Sequence, residues 1–245
     1  GTKDVEASSL VIEPLGRYDQ DGALVPYLAQ EIPTVANGGV SEDLTSITWK
    51  LKEGLKWSDG SPVTSADVKF TADYCMHPEG GCAQASFFDG VVSVETIDEL
   101  TTKVTFNQPK PNPYGPFMGG QSPILQAAQF ADCLGAKAPE CTEANFNPIG
   151  TGPFRVTDFR PNDVIQMEAN PHYRDAAKPA FATLTLKGGG DAAAAGRAVM
   201  ETGEFDYAWN LQLAPDVIAK MAEGGKGKPI AAFGSLVERL EMNLT

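Results

Sequence analysis

Apolar and polar positions alternate most regularly between Ser46 and Lys52. Ile47, Trp49 and Leu51 share one face; Thr48, Lys50 and Lys52 share the other. A period of two predicts a half-buried strand, ended by Gly54. Val91–Val94 and Thr102–Phe106 alternate around Ile97-Asp98-Glu99-Leu100, which predicts a hairpin. Arg155–Phe159 and Val164–Glu168 predict a second. Helical spacing of Val5, Ser8/Ser9 and Ile12 predicts a helix from Asp4 to Leu15, closed by Pro14, and Pro26–Glu31 reads as a short helix. Thr64-Ser65-Ala66-Asp67 is a loose capping box, with Asp where Glu is ideal. It opens a helix whose inner stripe is Val68, Ala72 and Cys75. Ile124–Ala131 is a further short helix, while Tyr18–Gly22, Trp57–Gly60 and the Pro- and Gly-rich stretch 109–123 read as turns and loop.

The last third changes character. Ala182–Leu186 reads as a strand, Asp191–Glu201 as an Ala-rich helix and Phe205–Trp209 as a strand. Strand, helix, strand in so short a stretch predicts a parallel pair with a crossover helix. A last helix spans Pro215–Ala222, with Pro in its first turn and Gly224 after its end. The fold class is mixed α/β.

Composition narrows what such a chain does. The formal net charge of -13 repels phosphate backbones and anionic lipid, so nucleic acid is excluded as a partner. No apolar run reaches the ~20 residues of a membrane-spanning helix. The four cysteines, Cys75, Cys82, Cys133 and Cys141, allow three pairings. Their spacing favours two local pairs, Cys75–Cys82 and Cys133–Cys141, and hence an oxidising compartment; buried free thiols are the competing reading.

Catalytic signatures are missing. The chain has two histidines, His77 and His172, and no nucleophile elbow, zinc-protease helix or P-loop. Gly188–Gly190 lacks the P-loop lysine, and Cys75, His77 and Cys82 lack a fourth metal ligand. No cofactor or metal is expected. Paired carboxylates such as Asp19 with Asp21 read as turn or solvated residues, and Asn243-Leu244-Thr245 fits a glycosylation sequon. The positive signal is aromatic and amide groups where binding sites form. Beyond the carboxyl end of a parallel strand, Trp209 supplies a flat apolar surface and Asn210 a paired donor and acceptor. Two readings of Trp209 stay open, site wall or core. Tyr114, Phe117 and Met118, on a glycine-rich loop, form the second candidate wall, against a packed surface loop.

Four stretches in order resemble the oligopeptide/dipeptide/nickel family of solute-binding proteins. They are Glu13-Pro14-Leu15 through Pro26; WKLKEGLKWSDGSPVTSADVKF from Trp49 to Phe70; Ile149–Phe154 with Asn170-Pro171 and Tyr173; and Gly203–Trp209. The resemblance implies one lobe of a periplasmic-binding-protein-like fold, with a mixed sheet and an extra α+β subdomain. It places that subdomain at 1–145 and part of the first main lobe at 146–245, and it implies a fragment of a longer protein. It further implies a monomeric, periplasmic, non-catalytic receptor that closes on a peptide or similar small polar solute and docks on the permease of an ABC importer. An extracytoplasmic sensor or interaction protein on the same fold is the alternative.

Overall fold

The computed structural model describes residues 2–175, 177–188, 190–209 and 211–230. They form two compact units, Gly1–Gly188 and Gly189–Thr245.

In the first unit, α1 (Thr2–Ser8) is half as long as its spacing predicts. The carbonyls of Leu10 and Val11 accept from the amides of Phe154 and Gly152 at 3.1 and 2.8 Å. A helix running on to Leu15 would need that segment for its own ladder, so the tertiary pairing ends the helix early. The approach is close enough that a Cβ on Gly150 would overlap the Val11 carbonyl, which makes glycine a steric requirement there.

The expected helix at Pro26–Glu31 is extended instead. β1 (Gly16–Tyr18) pairs antiparallel with β2 (Leu24–Pro26). The amides of Tyr27 and Ala29 then bond to the Leu15 carbonyl, and that of Gln30 to the Lys50 carbonyl, at 2.8–2.9 Å. Distant partners have taken the donors a helix would use.

β3 (Ser46–Lys50) lies beside β5 (Thr101–Phe106), which lies beside β4 (Val91–Thr96), all antiparallel. Ile47 faces Val104 across the ladder and Trp49 faces Thr102. Their inner side chains meet α2 (Ser65–Met76) in one core with Leu15, Leu28, Trp57, Val68, Phe117 and Ile124. The capping residue Asp67 is buried and ties three segments together. One carboxylate oxygen accepts from the Thr64 amide at 2.9 Å and the Trp57 indole at 3.3 Å; the other accepts from the Ala127 amide at 2.9 Å. α3 (Ala127–Phe130) starts later than expected because the Ile124 amide bonds to the Glu13 carbonyl and the Leu125 amide to the Thr71 hydroxyl.

Both local disulfides are formed, Cys75–Cys82 and Cys133–Cys141, with Cα separations of 5.0 and 5.8 Å. The two loops touch, since the His77 ring lies against Gly135. α4 (Thr142–Phe146) follows the second. Then β6 (Phe154–Arg160), β7 (Val164–Ala169) and β8 (Thr183–Lys187) make a second antiparallel sheet in sequence order. Glu13, fully buried, receives Arg174 bidentately at 2.5 and 3.1 Å and so ties the loop after β7 to the segment before β1.

The expected parallel pair is not formed among the described residues. β8 pairs antiparallel with β7, and Phe205–Trp209 joins no ladder. In the second unit Asp191 caps α5 (Ala192–Arg197), its carboxylate accepting from the Ala194 amide at 2.7 Å. A wider turn through Thr202 follows, and Gly203 adopts a left-handed conformation. The Phe205 amide folds back onto the Ala198 carbonyl at 3.2 Å, which uses it locally instead of in a sheet. α6 (Pro215–Ala222) has the bounds its sequence predicts.

Candidate functional site

The loop from Tyr114 to Ser122 is held from below. The Tyr114 hydroxyl donates to the Pro33 carbonyl at 2.7 Å, and its ring stands edge-on to Trp49 at 6.4 Å. Burial pushes that phenol above its usual pKa. Phe117 is fully buried and edge-on to Phe88 at 5.5 Å. Its φ of 66° is left-handed, a conformation that costs a bulky residue about 1–3 kcal/mol. Three hydrogen bonds hold it there: its amide donates to the Ser122 hydroxyl at 2.8 Å, and its carbonyl accepts from Leu15 at 2.9 Å and Gly16 at 3.4 Å. Met118 is buried under Gly16. Phe117 and Met118 therefore anchor the loop through the core, Gly120 packs against Val5 and Ser9, and the residues turned outward are Gly119 and Gln121.

Trp209 lies in the second unit with 37% of its surface exposed, and Tyr207 beside it is 67% exposed. Asn210 lies outside the described residues. The Cys75–His77–Cys82 metal reading falls because both cysteines are in a disulfide. Among the described residues no cluster of three His, Cys, Asp or Glu could hold a metal.

Sequence reasoning missed a cleft in the first unit of about 300 Å³, lined by Ser58, Asp59, Gln129, Ile149, Arg155 and Glu168 among others. Its groups are polar and mutually bound. Arg155 Nε donates to Glu168 at 2.8 Å across the β6–β7 pair. The Gln129 amide bridges the Asn147 carbonyl at 2.9 Å and the Ile149 amide at 2.8 Å. Burial opposes charge on Asp59. Bonds from Ser61 and from Gln126 outweigh it and hold the carboxyl below its ordinary pKa. The cleft offers one cation and two carboxylates for hydrogen bonding. Its lining of hydrogen-bonding groups suits holding a polar solute. Pairing across a sheet and over a 20-residue gap left no local pattern to find it by.

Residues 23–245 match the family model described as bacterial extracellular solute-binding proteins, family 5, middle. The chain belongs to that family. It is 27% identical over 229 residues to the glutathione-binding protein GsiB of Pectobacterium atrosepticum, which covers 93% of this chain and 41% of that protein. Among solved structures, AgaA of A. tumefaciens R10 in complex with agropinic acid superposes with a TM-score of 0.70 at 26% identity, over 81% of this chain and 38% of that one. OppA of Haemophilus influenzae in complex with the peptide RPPGFSPFR gives a TM-score of 0.75 over 93% and 45%; at 20% identity it bears on the fold alone. The chain thus spans about two fifths of the length of these relatives.

Proposed function

We propose that this chain is part of the substrate-binding component of an ABC importer for peptides or peptide-like polar solutes, working in the periplasm without catalysing a reaction. The family match over residues 23–245 carries this reading. The names of two relatives, one glutathione-binding and one in complex with agropinic acid, favour a small, polar, carboxylate-bearing ligand. The two disulfides agree with an oxidising compartment. In this reading residues 1–145 are the extra subdomain and 146–245 part of the first main lobe. Trp209 and Asn210 supply one ligand wall. The Tyr114–Met118 loop is the second candidate wall, presented through the neighbouring Gly119 and Gln121, with Phe117 and Met118 as its anchors.

Calorimetric titration of the intact protein with glutathione, short peptides and opines tests this. One class should saturate the protein, and Trp209→Ala should weaken it by about tenfold or more, the worth of one well-packed aromatic contact. Unchanged affinity in that variant would remove Trp209 from the wall. A lack of binding by every class would remove the importer reading.

A further inference from the structure

Three cations converge on Tyr27. The Arg17 guanidinium lies 4.5 Å from the ring centroid and that of Arg174 lies 4.8 Å from it. Lys52 Nζ donates to the Tyr27 carbonyl at 2.6 Å. Arg174 also covers the Tyr173 ring at 4.8 Å. One carboxylate lies within this group, Glu13, and it is buried beneath Arg174 with 1% of its surface exposed. Nearby acids are engaged elsewhere. Asp175 pairs with Lys178 at 3.7 Å, and Asp19 accepts from the turn amides of Asp21 and Ala23. Arg17 is exposed and makes no ion pair among the described residues. Burial and repulsion from Arg174 lower the pKa of Lys52 against the opposing attraction of Glu13.

The platform is stiff. Arg17 sits in β1 in register with Val25, and the Tyr27 amide is fixed to the Leu15 carbonyl at 2.8 Å. Stacking on a ring occupies the flat face of a guanidinium and leaves its in-plane N–H groups open, the geometry that takes a carboxylate bidentately. The chain as a whole carries -13, so this patch has the opposite sign to its surroundings. Acidic groups are attracted here and repelled over most of the remaining surface.

We infer that Arg17, on the Tyr27 platform and backed by Arg174 and Lys52, is a docking point for an acidic segment of a protein partner. The patch lies on an exposed strand pair, with neighbouring Tyr18 51% exposed. A single small carboxylate there would stay hydrated and gain little, whereas carboxylates linked on one partner share the cost of association. If the importer reading holds, that partner is the permease, and only this identification rests on it.

The test follows the Arg17 Nε–H resonance of the intact protein while hexaglutamate is added, with acetate and inorganic phosphate as separate arms. Hexaglutamate should shift the resonance saturably and lose affinity as salt is raised. Because Arg17→Gln removes the reporting group, binding to that variant is read by calorimetry, where affinity should fall about tenfold or more; Arg17→Lys should keep part of it. Equal affinity in Arg17→Gln overturns the proposal. Acetate or phosphate binding as tightly as the peptide also overturns it, in favour of a small-anion site. Solute titration of the same Arg17→Gln sample reads the importer proposal separately, since Arg17 is outside the ligand walls proposed above.

Discussion

The two three-stranded sheets are built from similar alternating strands and end up differently buried. In β3-β5-β4 the inner residues Ile47, Trp49 and Val104 are sealed beneath α2 and the Phe117 loop. In β6-β7-β8, Met167 lies between Val156 and Leu184 in register, and Ile165 between Phe159 and Leu186. Within the first unit that face meets the Leu10–Ile12 segment and, at Phe159, the edge-on ring of Phe146 in α4 at 4.7 Å, and Val156, Ile165, Leu184 and Leu186 stay half-buried. Alternation decides which side chains share a face. How deeply the face is buried depends on what else the chain lays over it.

The sharpest way to break this contrast is a large-to-small change in each sheet. Trp49→Ala should cost about 3–5 kcal/mol, because the cavity it leaves is walled by a closed core. Leu184→Ala should cost about 1–2 kcal/mol, since a half-buried side chain contributes roughly half its transfer energy. Urea melts of both variants check the ranking, and equal losses would mean the second sheet is as well sealed as the first. Trp49→Phe refines the first number. The Trp49 indole N–H and the facing Thr102 hydroxyl are buried without a protein partner, so deleting that donor removes a polar burden along with the lost packing. The phenylalanine variant should therefore recover most of the alanine loss.

A second difference is covalent. Cys75–Cys82 closes the end of the helix that covers the first sheet, and Cys133–Cys141 closes the loop packed against it. Nothing comparable crosses the second sheet among the described residues. Reduction should cost about 2–3 kcal/mol per bridge, the loop-closure entropy of rings this short. Hydrogen exchange read after reduction should quicken in α2 and around 127–146 and leave β6-β7-β8 unchanged. An equal rise in both sheets would show that they unfold as one unit.

The same contrast explains what was legible in the sequence. β3, β4, β5, β6 and β7 lie close to where period-two alternation places them, and α6 keeps its predicted bounds, because neighbours in sequence set those elements. Asp4–Leu15 and Pro26–Glu31 fail where amides or carbonyls are claimed from over a dozen residues away, by Gly152 and Phe154 in one case and by Leu15 and Lys50 in the other. The stretch Trp49–Phe70 that carries the family resemblance proves structural: its Trp57 indole and Asp67 carboxylate are bonded to each other. The polar cleft has no such signature, since Arg155 and Glu168, and Gln129 and Ile149, meet only after folding.

The smallest effects distinguish how each sheet holds its edge turns. Asp43, in the turn before β3, accepts from the Ser41 and Thr45 hydroxyls at 2.7 Å each and from the Thr45 amide at 3.0 Å. Those bonds, Ser41's foremost, lower its pKa to about 2. Asp163, beside β7, is held low instead by Lys187, and by Arg160 at 3.1 Å. A depressed carboxyl stabilises the fold above its unfolded pKa, near 3.8, and loses that contribution as pH falls through the folded value. Comparing each wild-type melt with Asp43→Asn and Asp163→Asn should therefore show a difference at neutral pH that closes on acidification, for Asp43 by about pH 2. Salt separates the two sites. Hydrogen bonds from neutral groups are barely screened, whereas an exposed ion pair weakens as the Debye length shrinks to about 3 Å at 1 M. At 1 M salt the Asp43→Asn difference should persist and the Asp163→Asn difference should fade; if both fade, the turn before β3 is held by charge as well.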